Sequence, residues 1–172
     1  MPDDAIEVLF SESQIKTRVA ALAQEIAKDY KDRRLVLVSI LRGSVFFATD
    51  LARLIDLSLS MDFLSISSYG EDSEGVVRIT KDLEENIAGK DVLVIEDIVD
   101  TGFTLKYLLR TLGGRNPKSI EVCTLLDRRA RRIIEIDLKY IGFEIPDKFV
   151  VGYGLDYRQR YRNLPYIGVV KP

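Results

Sequence analysis

Residues 92–105 read VLVIEDIVDTGFTL, and no other stretch of the chain restricts its possible folds so tightly. Four apolar, mostly β-branched residues open it, the pattern of a strand buried on both faces in a parallel sheet. Three carboxylates follow, Glu96, Asp97 and Asp100, and behind them Thr101, Gly102 and Thr104 lead into an apolar helical pattern. The expectation is a strand ending at Ile95, a turn that carries the acids, and a helix start. In open α/β sheets ligands bind beyond the carboxyl ends of the strands, and the free N–H groups of a helix start attract phosphate. Acidic groups and phosphate donors thus meet at one rim.

Blander readings compete. A lone Asp in such a loop is usually a helix cap or a solvated side chain. Three acids together are harder to assign that way. An apolar run ending in two acids also occurs in the magnesium-holding half of nucleotide triphosphatases, but those need a GxxxxGK[ST] loop upstream, and the chain has none. A phosphoacceptor domain would use the acids and leave Thr101, Gly102 and Thr104 without a role.

The 172 residues suffice for one domain with a substantial core, without disulfides or metal. Net charge is −2, so nothing draws the whole surface toward nucleic acid or an anionic membrane, and any phosphate site must be local. The one cysteine, Cys123, falls in an apolar run and is expected to be a small buried residue in a reducing compartment. No leader or membrane span is visible, and the expected location is the cytoplasm. Histidine is absent, which leaves proton transfer near neutral pH to carboxylate, lysine or tyrosine. The acids beyond Ile95 are the leading candidates.

The flanking segments continue the alternation of strand and helix. Ser11 and Gln14 form a capping-box pattern ahead of Ile15, Val19, Leu22 and Ile26 at helical spacing, which predicts a helix over 12–30. A largely apolar strand over 35–40 passes through Leu41, Arg42, Gly43 and Ser44 into a second helical pattern. Its tip offers one positive charge and a glycine, which suits an anion. Alternation over 57–66 predicts a half-buried strand, 67–75 a polar connection and 76–80 a further strand. A helix over 103–112, stopped by Gly113 and Gly114, and a buried strand over 120–126 complete the core. DRRARR at 127–132 reads from composition as a solvated face or a subunit contact. The fold class is α/β, a central mostly parallel sheet flanked by helices.

The segment IEDIVDTGFT resembles the phosphoribosyl pyrophosphate (PRPP) signature of the type I phosphoribosyltransferases, two acids on the ribose followed by a small, hydroxyl-rich phosphate loop. Together with LRGS at 41–44, LLDRR at 125–129 and the stretch from Tyr140 to Tyr157, the resemblance runs over nearly the whole chain. It is to the hypoxanthine (hypoxanthine-guanine) branch of that family. It implies the type I phosphoribosyltransferase fold in a single domain, with a core over about 8–135 and a small C-terminal hood over about 136–172 that includes the N-terminal residues.

The implied activity is transfer of the 5-phosphoribosyl group from PRPP to N9 of hypoxanthine or guanine, with magnesium as cofactor. By resemblance Glu96 and Asp97 hold the ribose and the metal, while Thr101, Gly102 and Thr104 take the 5′-phosphate. Arg42 and Gly43, behind a cis Leu41–Arg42 peptide, and Arg162 take the pyrophosphate. Asp100 is the general base for the purine N7 proton. Phe149, Val150 and Asp156 form the purine side, Phe149 by stacking, Val150 through its backbone, and Asp156 also as a magnesium ligand. Ser68 and Tyr69 belong to a loop that closes over the site. Arg128 stands where the family usually has the lysine that donates to the purine 6-oxo group, and Arg129 where it has proline. The ranking of hypoxanthine, guanine and xanthine is therefore open.

The resemblance implies no nucleic-acid or membrane partner, and family precedent is a homodimer or homotetramer. The rival from another class is a PRPP-sensing regulator of the same fold that contacts nucleic acid through DRRARR. The negative net charge and the lack of an extra domain weigh against it. Within the same chemistry, the rival is a transferase for xanthine or a pyrimidine.

Overall fold

Capping and apolar patterning set the elements in chain order. The computed structural model describes residues 6–69 and 76–170. Strand β1 (Ile6–Phe10) leads into helix α1 (Glu12–Asp29), which begins on a complete capping box: Ser11 Oγ accepts from the Gln14 N–H, and the Gln14 side chain accepts from the Ser11 N–H. Strand β2 (Leu35–Leu41), helix α2 (Val45–Leu54), and strands β3 (Leu59–Tyr69) and β4 (Val76–Lys81) follow. Next come β5 (Asp91–Val99), α3 (Phe103–Gly113), β6 (Ser119–Asp127), a 3-10 turn (Arg129–Arg131) and β7 (Tyr140–Glu144). Two short strands, β8 (Val150–Val151) and β9 (Ile167–Val170), come last. No described helix is long and apolar enough to cross a membrane.

The large sheet has the order β4-β3-β2-β5-β6-β7, with every neighbouring pair parallel except β3 and β4. Its central apolar runs divide by parity. Leu35, Leu37, Leu93, Ile95 and Cys123 pack with Leu22, Ile26, Phe47 and Leu51 of α1 and α2. Val36, Val38, Val92, Val94 and Val122 pack with Leu105, Leu108 and Leu112 of α3. Helices cover both faces, which is why these runs are continuous rather than alternating.

Three features differ from the sequence reading. Strand β5 extends to Val99 instead of stopping at Ile95, because the ladder with β6 continues through Glu96↔Thr124, Ile98↔Leu126 and Val99↔Asp127. Glu96 and Asp97 are therefore strand residues held by a ladder, not turn residues. Strand β3 likewise runs to Tyr69, because β4 pairs with it to the end. Finally, β7, which the sequence reading gives to the hood, is an edge strand of the large sheet in parallel register with β6. The hood itself is a three-stranded antiparallel sheet in the order β1-β9-β8, closed by the N-terminal strand.

Candidate active site

Strands β2 and β5 are neighbours, but the chain leaves β2 toward β3 and leaves β5 toward β6, on opposite sides. Such a switch in direction opens a crevice at the carboxyl ends of the two strands. The β2–β5 ladder stops at Ser39↔Ile95, while β5 continues beside β6 to Val99. A cavity of about 380 Å³ lies there, of a size suited to a small ligand. Arg42, Gly43, Glu96, Asp97, Asp100, Thr101, Gly102, Thr104, Asp156 and Arg162 all line it. Four separated segments thus converge on one space.

The turn after β2 is held from beneath. Ser44 Oγ donates to the Ile40 carbonyl at 2.6 Å and pairs with Ser39 Oγ at 2.8 Å, all buried. The Leu41–Arg42 peptide is cis. Gly43 rests directly on Asp97: a Cβ there would stand 1.6 Å from its Oδ2.

Burial dominates the electrostatics of the two strand acids. Glu96, 8% exposed, has its carboxyl pushed well above the usual range by desolvation first and by the Asp97 charge second. Asp97 is raised to about 6, again by burial, against the pull of the Ile98 N–H, its own N–H and Arg162; Asp156 adds to the rise. The fold therefore favours the protonated acid. Its contribution to stability is complete below the unfolded value of about 3.9 and is lost as pH rises through about 6. An Asp97→Asn variant should accordingly melt above the native protein at pH 8 and with it at pH 4, as thermal melts across that range would show. Equal melting temperatures at pH 8 would remove the argument.

The loop beyond β5 turns sharply into α3. Gly102 caps the helix at φ 91°, a region that favours glycine, and its carbonyl accepts from the Lys106 N–H at 2.9 Å. Thr101 and Thr104 flank it on the cavity wall.

Across the cavity, the hood turn is tied together by charge. Arg162 Nη2 pairs with Asp156 Oδ1 at 2.8 Å, and Arg162 Nη1 donates to the Gly154 carbonyl at 2.6 Å. Gln159, which the sequence did not single out, joins hood to core: its Oε1 accepts from Arg42 at 3.1 Å and from Arg162 at 3.2 Å, and its N–H donates to Asp156 at 2.8 Å. Nothing in its sequence context marks it, because the contact spans 117 positions.

Among the described residues, no three acidic, cysteine or histidine side chains converge so as to hold a metal unaided. Glu96, Asp97 and Asp156 are therefore not a preformed cage. Asp97 and Asp156 do line one cavity, and the Asp156 charge raises the Asp97 carboxyl. A hard cation that keeps water and borrows phosphate oxygens, as magnesium does, fits such a pair.

Arg128, 5% exposed, does not stand free: Nη1 lies 3.2 Å from Asp100 Oδ1, and Nη2 donates to the Lys148 carbonyl at 2.7 Å. Asp100 lines the cavity described above, whereas Arg128 does not. Phe149 is 52% exposed, with its ring edge-on to Tyr157 at 5.6 Å, and Val150 is buried in β8 opposite Val169. Ser68 and Tyr69 end β3, with backbone paired to Val77 and Val76; their side chains and the connection over 70–75 lie outside the described residues. The basic run at 127–132 is split: Arg129 and Arg131 are exposed, whereas the Arg128 and Arg132 side chains are buried. Arg128 pairs with Asp100, Arg131 with Asp147, and Arg132 with the buried Asp127.

Comparison with known proteins agrees with this geometry. A model of the phosphoribosyl transferase domain matches residues 7–158. The hypoxanthine-guanine phosphoribosyltransferase of Staphylococcus aureus is 51% identical over 174 residues, covering 100% of this chain and 97% of the relative. That of Mycobacterium avium is 49% identical over 179 residues, covering 99% and 88%. The bifunctional TilS/HprT protein of Listeria monocytogenes is 48% identical over 174 residues, and the chain spans 27% of its length. Among solved structures, a hypoxanthine phosphoribosyltransferase from Staphylococcus aureus superposes with a TM-score of 0.95 at 50% identity, covering 99% of this chain and 94% of the other. A Trypanosoma cruzi enzyme of the same name, in a ternary substrates complex, gives 0.94 at 41% identity, covering 99% and 97%. With the fold, the strand-to-helix loop and these matches in agreement, the chain belongs to the phosphoribosyltransferase family.

Proposed function

We propose that the chain transfers the 5-phosphoribosyl group from PRPP to N9 of hypoxanthine or guanine, forming IMP or GMP and pyrophosphate. One observation carries this reading: two strand acids, a hydroxyl-bearing helix-start loop and two arginines from separate segments line one cavity at the sheet's switch point. PRPP has the complementary parts, a diol, a monophosphate and a diphosphate.

The sugar carbon becomes oxocarbenium-like as pyrophosphate departs, so charge has to be stabilised on both sides of the breaking bond. Glu96 and Asp97 hold the ribose hydroxyls, and Asp97, which ionises above about pH 6, places negative charge where it favours a cationic sugar. Thr101, Gly102 and Thr104 fix the 5′-phosphate with backbone N–H groups and hydroxyls. Arg42, Gly43 and Arg162 receive the leaving pyrophosphate. When bound against Asp97 and Asp156, magnesium supplies positive charge to the phosphate oxygens. Phe149 stacks on the base, the Val150 backbone meets its edge, and Arg128 donates to its 6-oxo group in place of the present Asp100 contact. Asp100 then accepts the N7 proton as N9 attacks. Ser68 and Tyr69 close over the site and keep water from the activated sugar.

The reading extends to a cytoplasmic homodimer or homotetramer, whose mass light scattering would give. The rival regulator loses half of its basic contact, because Arg128 and Arg132 are buried against acids of the chain itself.

Purified protein with magnesium and PRPP should convert hypoxanthine, guanine or both, and release pyrophosphate. Adenine presents an amino donor to the Arg128 guanidinium and should be inert, as should uracil. Xanthine measures how far arginine in that position broadens the choice. Failure to turn over any 6-oxopurine would overturn the proposal.

A further inference from the structure

The loop from Thr101 to Thr104 owes its shape to contacts made behind it. Asp127 ends β6 with its side chain 2% exposed, and the Arg132 side chain, 5% exposed, is ion-paired with it. Arg132 also donates through Nε to the Asp100 carbonyl at 2.8 Å and through Nη2 to the Val99 carbonyl at 3.3 Å. The next two residues continue the grip, for the Ile133 and Ile134 N–H groups donate to the Thr101 carbonyl at 3.0 and 2.9 Å. Segment 132–134 therefore holds two successive loop carbonyls from one side.

In a planar trans peptide the N–H points opposite the carbonyl of the same unit. Fixing the Asp100 and Thr101 carbonyls to this brace turns the Thr101 and Gly102 N–H groups the other way. Thr101 and Gly102 line the cavity. Loop and brace also touch: a Cβ on Gly102 would stand 2.6 Å from the Ile134 carbonyl and 3.4 Å from Arg132 Cδ.

We propose that Arg132 is a positioning residue for the 5′-phosphate: anchored on Asp127, it holds the loop so that the Thr101 and Gly102 N–H groups face that phosphate. The inference rests on assigning the loop to the 5′-phosphate. A guanidinium suits the task because its planar fork serves a carboxylate and two carbonyls at once, whereas an ammonium is a point charge on a flexible stem. An ion pair that served stability alone would alter the melting temperature and leave ligand affinities of the folded protein unchanged.

The test compares ribose 5-phosphate and magnesium pyrophosphate, each titrated calorimetrically into the native protein and an Arg132→Lys variant. The variant should bind ribose 5-phosphate about tenfold more weakly, the scale of a lost charge-assisted hydrogen bond. Its pyrophosphate affinity, read by Arg42 and Arg162 at the other end of the cavity, should not change. Equal ribose 5-phosphate affinity in the two proteins overturns the proposal, and so does an equal loss for both ligands. Should Arg132→Lys not fold, Asp127→Asn removes the anchoring charge at constant size and should show the same split. Thr104→Val separates the two levels of the claim. If it weakens ribose 5-phosphate while Arg132→Lys does not, only the brace fails; if the native protein takes up no ribose 5-phosphate, the loop assignment fails and the brace with it.

Discussion

An Asp100→Asn variant should lose about two to four orders of magnitude in turnover while keeping nucleotide affinity nearly intact, the range expected when a positioned general base is removed. Asp100 lines the same cavity as Thr101, Gly102 and Thr104, and its side chain is 40% exposed, open to a bound base. It faces the Arg128 guanidinium at 3.2 Å. That pair is a donor beside an acceptor, and the edge of a 6-oxopurine with a proton on N7 is its complement, an oxygen acceptor beside an N–H donor. On the proposed assignment, the base would enter by replacing each partner of the ion pair with its own matching group. Asparagine preserves shape and one acceptor oxygen but cannot take the proton. Steady-state turnover with hypoxanthine, together with IMP binding by calorimetry, would separate the two quantities. Near-normal turnover would remove Asp100 from the chemistry.

The second large effect is expected at Gly154, where the hood meets the core. Its φ is +103°, and a Cβ there would stand 1.9 Å from the Gly43 carbonyl, a backbone atom that cannot swing aside. Gly154→Ala thus combines backbone strain with a collision, and about 2 kcal/mol or more of stability should be lost. Function should suffer with it. The Gly154 carbonyl accepts from Arg162, and Gly43 packs against Asp97, so displacement of either moves groups on both sides of the cavity. PRPP affinity should fall by about tenfold or more, on the scale of one lost charge-assisted contact. Gly89→Ala is the control. It shares a positive φ of +71° but would meet nothing within 4 Å, so it carries the strain alone. A Gly154→Ala variant no less stable than Gly89→Ala would show that the hood and the turn are not in contact in solution.

Asp97 illustrates how far a local reading reaches. From sequence it is one of three acids after an apolar run, and its nearness to a ligand site follows from the rule for parallel sheets. Its surroundings do not follow. The Gly43 backbone, Asp156 and Arg162 come from positions 43, 156 and 162, and no periodicity links them. Arg132 makes the same point from the other side. In a run of four arginines composition cannot tell which are solvated, and the answer lies in burial beside Asp127.

What the sequence by itself determined is the part of the protein written in short-range patterns. The capping box placed α1, the continuous apolar runs marked strands covered on both faces, and acids followed by a glycine-bearing helix start located the rim where the cavity opens. What only the tertiary structure decided are the relations between distant segments. The β6 ladder drew β5 on to Val99, β7 joined the large sheet, Gln159 bridged two arginines, and Arg128 and Arg132 turned inward to acids. The physical reason is one of range. Backbone patterning is set by neighbours within a few residues, whereas a strand's end, a buried charge or a shared hydrogen bond depends on which remote chain supplies its partner.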